Sequence, residues 1–252
     1  MAKKNIAKKY FLIIGLLCVV GLYLWLSYAY IYFKIGRASL PPADTTYSYI
    51  LNISNKPEKS LVYAALGDSL TTGVGVDTYE QSYPYILAQK LSLNHSNFIL
   101  KDFSFAGAKT IDVINNLLAP AIASKPDIVT LLIGTNDIHD RISPTTFEKN
   151  YDYILEQLQT KTNAKIYVIS IPFLGANTLL LPPYNYYFHN QIIKYNKIIK
   201  TAAQTYKASF IDLTSPTAEA STSSSYYAAD LFHPTAKTYT LWATIIYDNF
   251  NR

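Results

Sequence analysis

Two short blocks hold the residue types that nucleophilic acyl chemistry requires. The first, "LGDSLTTGVG" (residues 66–75), sets Gly, Asp and Ser side by side directly after an apolar run, "LVYAA". All three are common turn formers, so a plain surface turn is one reading. The other is a nucleophilic serine, Ser69, on a strand-to-helix elbow. Near the C-terminus, "DLFHP" sets Asp230 and His233 three residues apart, which lets a carboxylate and an imidazole meet within one turn. The carboxylate can accept the Nδ1–H and fix the tautomer, leaving Nε2 free to take a proton from a hydroxyl. A serine needs such a base, because its hydroxyl is a weak nucleophile unaided.

A tetrahedral intermediate also needs donors for its oxyanion. Two further blocks offer them: "SFAGAKT" (104–110) and "GTND" (134–137). The candidates are the backbone N–H groups of Ser69 and Gly107 and the side-chain amide of Asn136. A glycine lets the backbone come close to a ligand. The plainer alternatives are a turn or helix-entry glycine at 107, a loop-stabilising Asn136 and a helix-capping Asp230. Asp68 is expected to brace the elbow through backbone bonds, and Asp137 to hold its own loop. His139 follows the third block closely enough to line a pocket there. His95 reads as a solvated loop residue and His189 as packing on an aromatic helix start. No His, Cys or carboxylate set has metal-ligand spacing, and "GVG" (73–75) lacks the third glycine of a dinucleotide fingerprint. No metal and no cofactor are expected.

These blocks must be positioned by a scaffold, and its periodicity is legible. Apolar runs predict strands at Leu61–Leu66, Asn97–Phe103, Asp127–Ile133, Lys165–Ile171 and Ala208–Leu213. Between and after them, helical patterns cover Tyr83–Leu91, Ile111–Ala119, Thr146–Lys161, Tyr186–Tyr206 and Pro234–Asn249. Strands alternating with helices imply crossover connections and a parallel sheet covered on both faces. The expectation is an α/β, three-layer, flavodoxin-like fold with a five-stranded parallel sheet. In such sheets ligands lie beyond the carboxyl ends of the strands. Three of the four polar blocks follow strands one, two and three, and so share that edge. The apolar, aromatic stretch "LGANTLLLPPYNYYFH" (174–189) reads either as a packed loop or as a lid or acyl-accepting wall beside the site.

The first sixty residues differ from the rest. Residues 10–33 are 24 in a row without a charge, and about 20 suffice to cross a hydrocarbon core. Four lysines precede this run, and six aromatics crowd its second half. The positive-inside bias places the N-terminus in the cytoplasm and the remainder outside. An uncleaved transmembrane anchor is the first reading. The alternatives are a signal peptide cleaved near "GRAS" (36–39) and lipidation at Cys18. The chain then divides into a cytoplasmic tip and anchor (1–33), a linker (34–60) and a globular domain (61–252). Within the linker, "YSYIL" (47–51) is able to pack on the domain. Six of the 22 basic residues lie in residues 1–40 with no acidic residue, leaving 16 basic against 17 acidic beyond. A near-neutral body of this kind excludes a nucleic-acid partner, which would want a basic face. The single cysteine excludes an intrachain disulfide.

Taken together, the four blocks resemble those of the SGNH hydrolases, the GDSL-type lipase/esterase family, across nearly all of residues 61–249. The resemblance implies Ser69 as nucleophile, Gly107 and Asn136 as oxyanion donors, and Asp230 and His233 as the rest of a triad. It implies a small-molecule ester substrate, drawn from lysophospholipids, acetylated glycans, short acyl esters and thioesters. A membrane-anchored extracytoplasmic esterase or lipase is therefore expected. An O-acyltransferase on envelope sugars, or a silent glycan- or protein-binding relative, are the alternatives. The second block departs from the family pattern. Asp102, Ser104 and Ala106 stand where members commonly carry Asn, a small Gly or Ala, and Ser.

Overall fold

A computed structural model describes residues 2–38, 48–51, 60–93 and 97–250, with side chains described from residue 8 onward. His95, Ser39 of the "GRAS" stretch and residues 40–47 and 52–59 of the 34–60 segment lie outside the described residues. The chain opens with α1 (Ala2–Ile35), then runs β1 (Ser48–Leu51), β2 (Leu61–Gly67), α2 (Ser69–Thr72), α3 (Tyr83–Ser92) and β3 (Phe98–Ser104). Next come α4 (Thr110–Asp112), a π-helical turn, α5 (Leu118–Ala123), β4 (Ile128–Leu132), α6 (Thr135–His139) and α7 (Pro144–Lys161). The remainder is β5 (Lys165–Ile169), α8 (Tyr184–Thr205), β6 (Ser209–Ile211), α9 (Thr214–Thr217) and α10 (Ala236–Phe250).

The sheet has six strands, not five, in the order β1-β3-β2-β4-β5-β6. Every pairing is parallel except the β1–β3 edge, where Ser48 faces Lys101 and Leu51 faces Phe98 in antiparallel register. The added strand falls inside the 34–60 segment that composition assigns to a linker. Four residues among Pro and polar clusters carry too little periodicity to announce a strand; pairing with the β3 edge supplies the backbone partners instead. The five parallel strands keep the 2-1-3-4-5 order of flavodoxin-like sheets, with a switch point beside β2.

Helices cover both faces because the strands are apolar on both. Tyr63 and Ala65 of β2 point to one face with Leu87 of α3 and Tyr239 and Trp242 of α10. Ala64 and Leu66 point to the other, with Ile154 of α7 and Ile199 of α8. That two-residue alternation inside a fully apolar run is what a strand buried on both sides requires. α7 starts where Ser143 caps it, its Oγ accepting from the Thr146 N–H at 3.1 Å, with Pro144 in the first turn. Its buried face is Phe147, Tyr151, Ile154, Leu155 and Leu158. Much of the tyrosine is structural: Tyr63 bonds Thr130 at 2.8 Å and Tyr239 donates to the Val74 carbonyl at 2.9 Å, each satisfying a buried hydroxyl.

Two buried carboxyls set a pH dependence of stability. Asp102, on β3, accepts from Ser104 Oγ at 2.6 Å, and Ser104 Oγ lies 3.0 Å from Thr72 Oγ1. Two of the departures from the family pattern thus partner one another. The second oxygen of Asp102 lacks a hydrogen bond; the Tyr79 hydroxyl is close enough to favour the charged form but not in bonding geometry. Burial pushes the Asp102 carboxyl up from 3.8 to about 7, against the Ser104 and Tyr79 hydroxyls. Burial does the same to Asp68, also to about 7. A folded-state value above the unfolded one means that the native protein holds the extra proton, so stability falls as pH rises from about 4 to about 7 and then levels off. Asp102→Asn is expected to remove its share. The variant's melting temperature should exceed wild type by several degrees at pH 8 and by little at pH 4, read by differential scanning fluorimetry. A difference independent of pH would contradict this account.

Candidate active site

β2 ends at Gly67, and the chain turns at once into α2. Asp68 caps that helix, its Oδ1 accepting from the Leu70 N–H at 3.0 Å. The turn places Ser69 at the carboxyl edge of the sheet, 7 % exposed. Gly75 makes the next contact possible. It has φ +101, and a Cβ there would lie 2.6 Å from the Pro234 carbonyl and 3.0 Å from His233 Cβ. Only glycine lets the "DLFHP" segment approach this closely.

The approach joins Ser69 to the Asp230–His233 pair, more than 160 residues away in the chain. His233 Nε2 is 3.0 Å from Ser69 Oγ, and His233 Nδ1 is 2.5 Å from Asp230 Oδ2. Asp230 Oδ1 accepts from the N–H groups of Phe232 (2.9 Å) and His233 (3.0 Å), which fixes the carboxylate within its own loop. Leu231 sits between them at φ +62, an unusual conformation for a side-chain-bearing residue, and it tightens this loop. Burial by itself would raise the Asp230 carboxyl. The His233 imidazole and the two N–H groups outweigh it, and the net direction is down. Asp230 therefore stays ionised beside the ring.

Gly107 follows β3 with φ +86, is exposed, and lines the same cavity as Ser69 and His233. Asn136 lies in α6, just past β4, and lines it too. One Asn136 Nδ2 hydrogen goes to the Ala108 carbonyl at 3.0 Å, which holds the amide against the second block. An amide nitrogen carries two hydrogens, so one remains for the cavity. Asp137 is fully buried and accepts from Thr110 N (3.0 Å) and Thr110 Oγ1 (2.5 Å). It clamps the third block to the second. Burial raises its carboxyl against those two donors.

The structure thus gathers Ser69, Gly107, Asn136 and His233 around one cavity of about 480 Å³, with Asp230 behind His233. His139 lines it as well. His189 stacks on Phe173 with ring centroids 4.5 Å apart, the packing expected of it. What sequence reasoning missed is the contribution of α1. Ile31, Tyr32 and Ile35 line the cavity, and Tyr32 Oη lies 3.2 Å from His139 Nε2. A signal was present in the chain: Leu24, Ser27, Ile31, Ile35 and Ala38 recur every three to four positions and are partly or wholly covered, with Ala29 and Lys34 beside them. A uniformly apolar run hides such a face, since lipid and protein ask for the same residues.

Comparison with known proteins agrees with the topology. The model of the GDSL-like lipase/acylhydrolase family matches residues 65–241. A lipase of Streptomyces rimosus is 32 % identical over 108 residues, which are 39 % of this chain and 38 % of that relative's length. In three dimensions, a lipase/acylhydrolase from Enterococcus faecalis superposes with TM-score 0.63 at 19 % identity, over 75 % of this chain and 95 % of that one. An acetylxylan esterase from Geobacillus stearothermophilus gives 0.62 at 16 % identity, over 76 % and 94 %. The extracellular lipase from Streptomyces rimosus gives 0.60 at 19 %, over 75 % and 100 %. The family model spans well over half of the chain and contains all four polar blocks, so the chain belongs to the GDSL-like lipase/acylhydrolase family.

Proposed function

We propose that this protein is a serine hydrolase of carboxylic esters, held at a membrane by α1. The observation that carries the reading is the Ser69–His233–Asp230 chain of hydrogen bonds at 3.0 and 2.5 Å, opening into the cavity. Ser69 Oγ attacks the ester carbonyl and passes its proton to His233 Nε2, while Asp230 holds Nδ1–H and stabilises the imidazolium. The oxyanion sits among the N–H groups of Ser69 and Gly107 and the free Asn136 amide hydrogen. The C–O bond to the alcohol then breaks, and the leaving oxygen takes the proton from His233. Water, deprotonated by His233, attacks the acyl carbon; the acid leaves and Ser69 regains its proton. No cofactor takes part in this scheme.

Charge and length support the anchoring. α1 is long and apolar enough to cross a membrane, with lysines before it and aromatics toward its far end. The N-terminus then lies in the cytoplasm and the domain outside. The test is to offer the full chain, in detergent micelles, p-nitrophenyl esters, acetylated oligosaccharides and lysophospholipids, with and without an acceptor sugar. Release of free acid supports hydrolysis, and transfer to the sugar would redirect the reading to an acyltransferase. No turnover, together with no labelling by a fluorophosphonate probe, would end it. Asn136→Ala is expected to lower kcat on the best ester by about 10²–10³, the usual cost of one oxyanion donor. A fall of less than fivefold would leave the amide as a mere loop tether to Ala108.

A further inference from the structure

α1 does more than leave the domain behind it. It first meets the domain just past the middle of the apolar run: Tyr23 Oη donates to the Pro182 carbonyl at 2.8 Å, and Tyr184 Oη donates to the Leu24 carbonyl at 3.1 Å. Tyr23 stands 13 residues beyond Tyr10, where the charge-free run begins. At 1.5 Å per residue that is about 20 Å, against a hydrocarbon core about 30 Å thick. A membrane spanned from Tyr10 onward therefore reaches past the Pro182 and Tyr184 contacts and ends near residue 30. The "LLLPPYNYYF" stretch (179–188) is thus carried to the depth of the leaflet on the domain's side. Its composition suits that place. Tyr186 is 66 % exposed and Tyr187 40 %, and tyrosines are favoured at the boundary between lipid and water.

The next turns of α1 line the cavity. Ile31, 5 % exposed, packs with Leu179 and Leu180, and Ile35 follows one turn later. The cavity wall therefore begins within one or two helical turns of the hydrocarbon edge. Beyond the groups used in the chemistry it is mostly apolar, with Ile171, Leu174, Phe188 and Phe232 among its walls; Thr135 and the Tyr32–His139 pair are its other polar groups. A sugar bound there would bury more hydroxyls than these three side chains can partner, at a cost of about 1–3 kcal/mol for each one left over. A hydrocarbon chain would bury only apolar surface.

We infer that the outer end of α1, through Ile31 and Ile35, is a wall of the acyl site, and that with residues 179–188 it sets the cavity at the bilayer surface to receive the hydrocarbon chain of a membrane-resident ester. The inference rests on the hydrolase reading above and selects a lipid ester over an acylated glycan. The anchor is then a specificity element as well as a tether.

The test uses the full chain in phosphatidylcholine nanodiscs. Wild type, Ile31→Trp and Ile35→Trp are compared by the ratio of kcat/KM on p-nitrophenyl decanoate to that on p-nitrophenyl acetate. Fluorophosphonate labelling reports folded sites, and Ile35 is only half-buried in the last turn of α1, so added bulk there threatens folding less. In the labelled protein the ratio should fall at least tenfold in both variants. A ratio within twofold of wild type overturns the assignment. A nitroxide placed by Tyr186→Cys in a Cys18→Ser background should collide more readily with oxygen than with a water-soluble nickel complex. The reverse order overturns the membrane-level placement. Failure of wild type on both esters, without labelling, would instead defeat the hydrolase reading itself.

Discussion

Ser69→Ala should abolish ester turnover, lowering kcat on the order of 10⁶-fold while the domain still melts cooperatively near the wild-type temperature. The size follows from how the parts depend on one another. His233 has a proton to accept only because Ser69 Oγ lies 3.0 Å from Nε2, and the oxyanion donors act only on an intermediate that the serine creates. Removing a serine nucleophile costs about as much as removing a whole triad. The fold should survive because the change deletes one oxygen at the rim of a cavity and leaves the Asp68 cap on Leu70 intact. The measurement is single-turnover and steady-state kinetics on a p-nitrophenyl ester, with fluorophosphonate labelling beside it. A variant that keeps a hundredth of the activity, or still labels, would place the nucleophile elsewhere.

The second large effect is expected from Asp230→Asn, at about 10⁴ in kcat. The substitution is nearly isosteric, and the amide can keep the acceptor oxygen that the N–H groups of Phe232 and His233 use. Its nitrogen then faces His233 Nδ1, where Asp230 Oδ2 now accepts at 2.5 Å. Two donors cannot share that contact, so the imidazole shifts its proton to Nε2 and turns a hydrogen toward Ser69. A base in that tautomer cannot take the serine proton, and the geometry survives while the rate does not. KM should change much less than kcat, which separates a tautomer effect from a collapsed pocket. Equal losses in both, or a lowered melting temperature, would make Asp230 a structural cap of its loop.

Much of this site was legible from the chain because its parts are local. An Asp230–His233 pair needs only a three-residue spacing, and Asp68 caps the helix that it precedes. β2 and β4 are continuous apolar runs and α7 and α10 repeat with helical period, so the parallel core could be counted from these patterns. The antiparallel edge strand Ser48–Leu51 could not, since four residues have no periodicity to detect and exist as a strand only through β3.

What the sequence determined by itself was the order of apolar strands and helices, and the residue types waiting at the ends of those strands. Only the tertiary structure decided that Gly75 lets the His233 loop close on Ser69, that Ser104 partners Asp102, and that α1 forms a wall of the cavity. The physical reason is that periodicity reports which face of an element is apolar, whereas it says nothing about whether lipid, a neighbouring helix or a substrate chain will cover it.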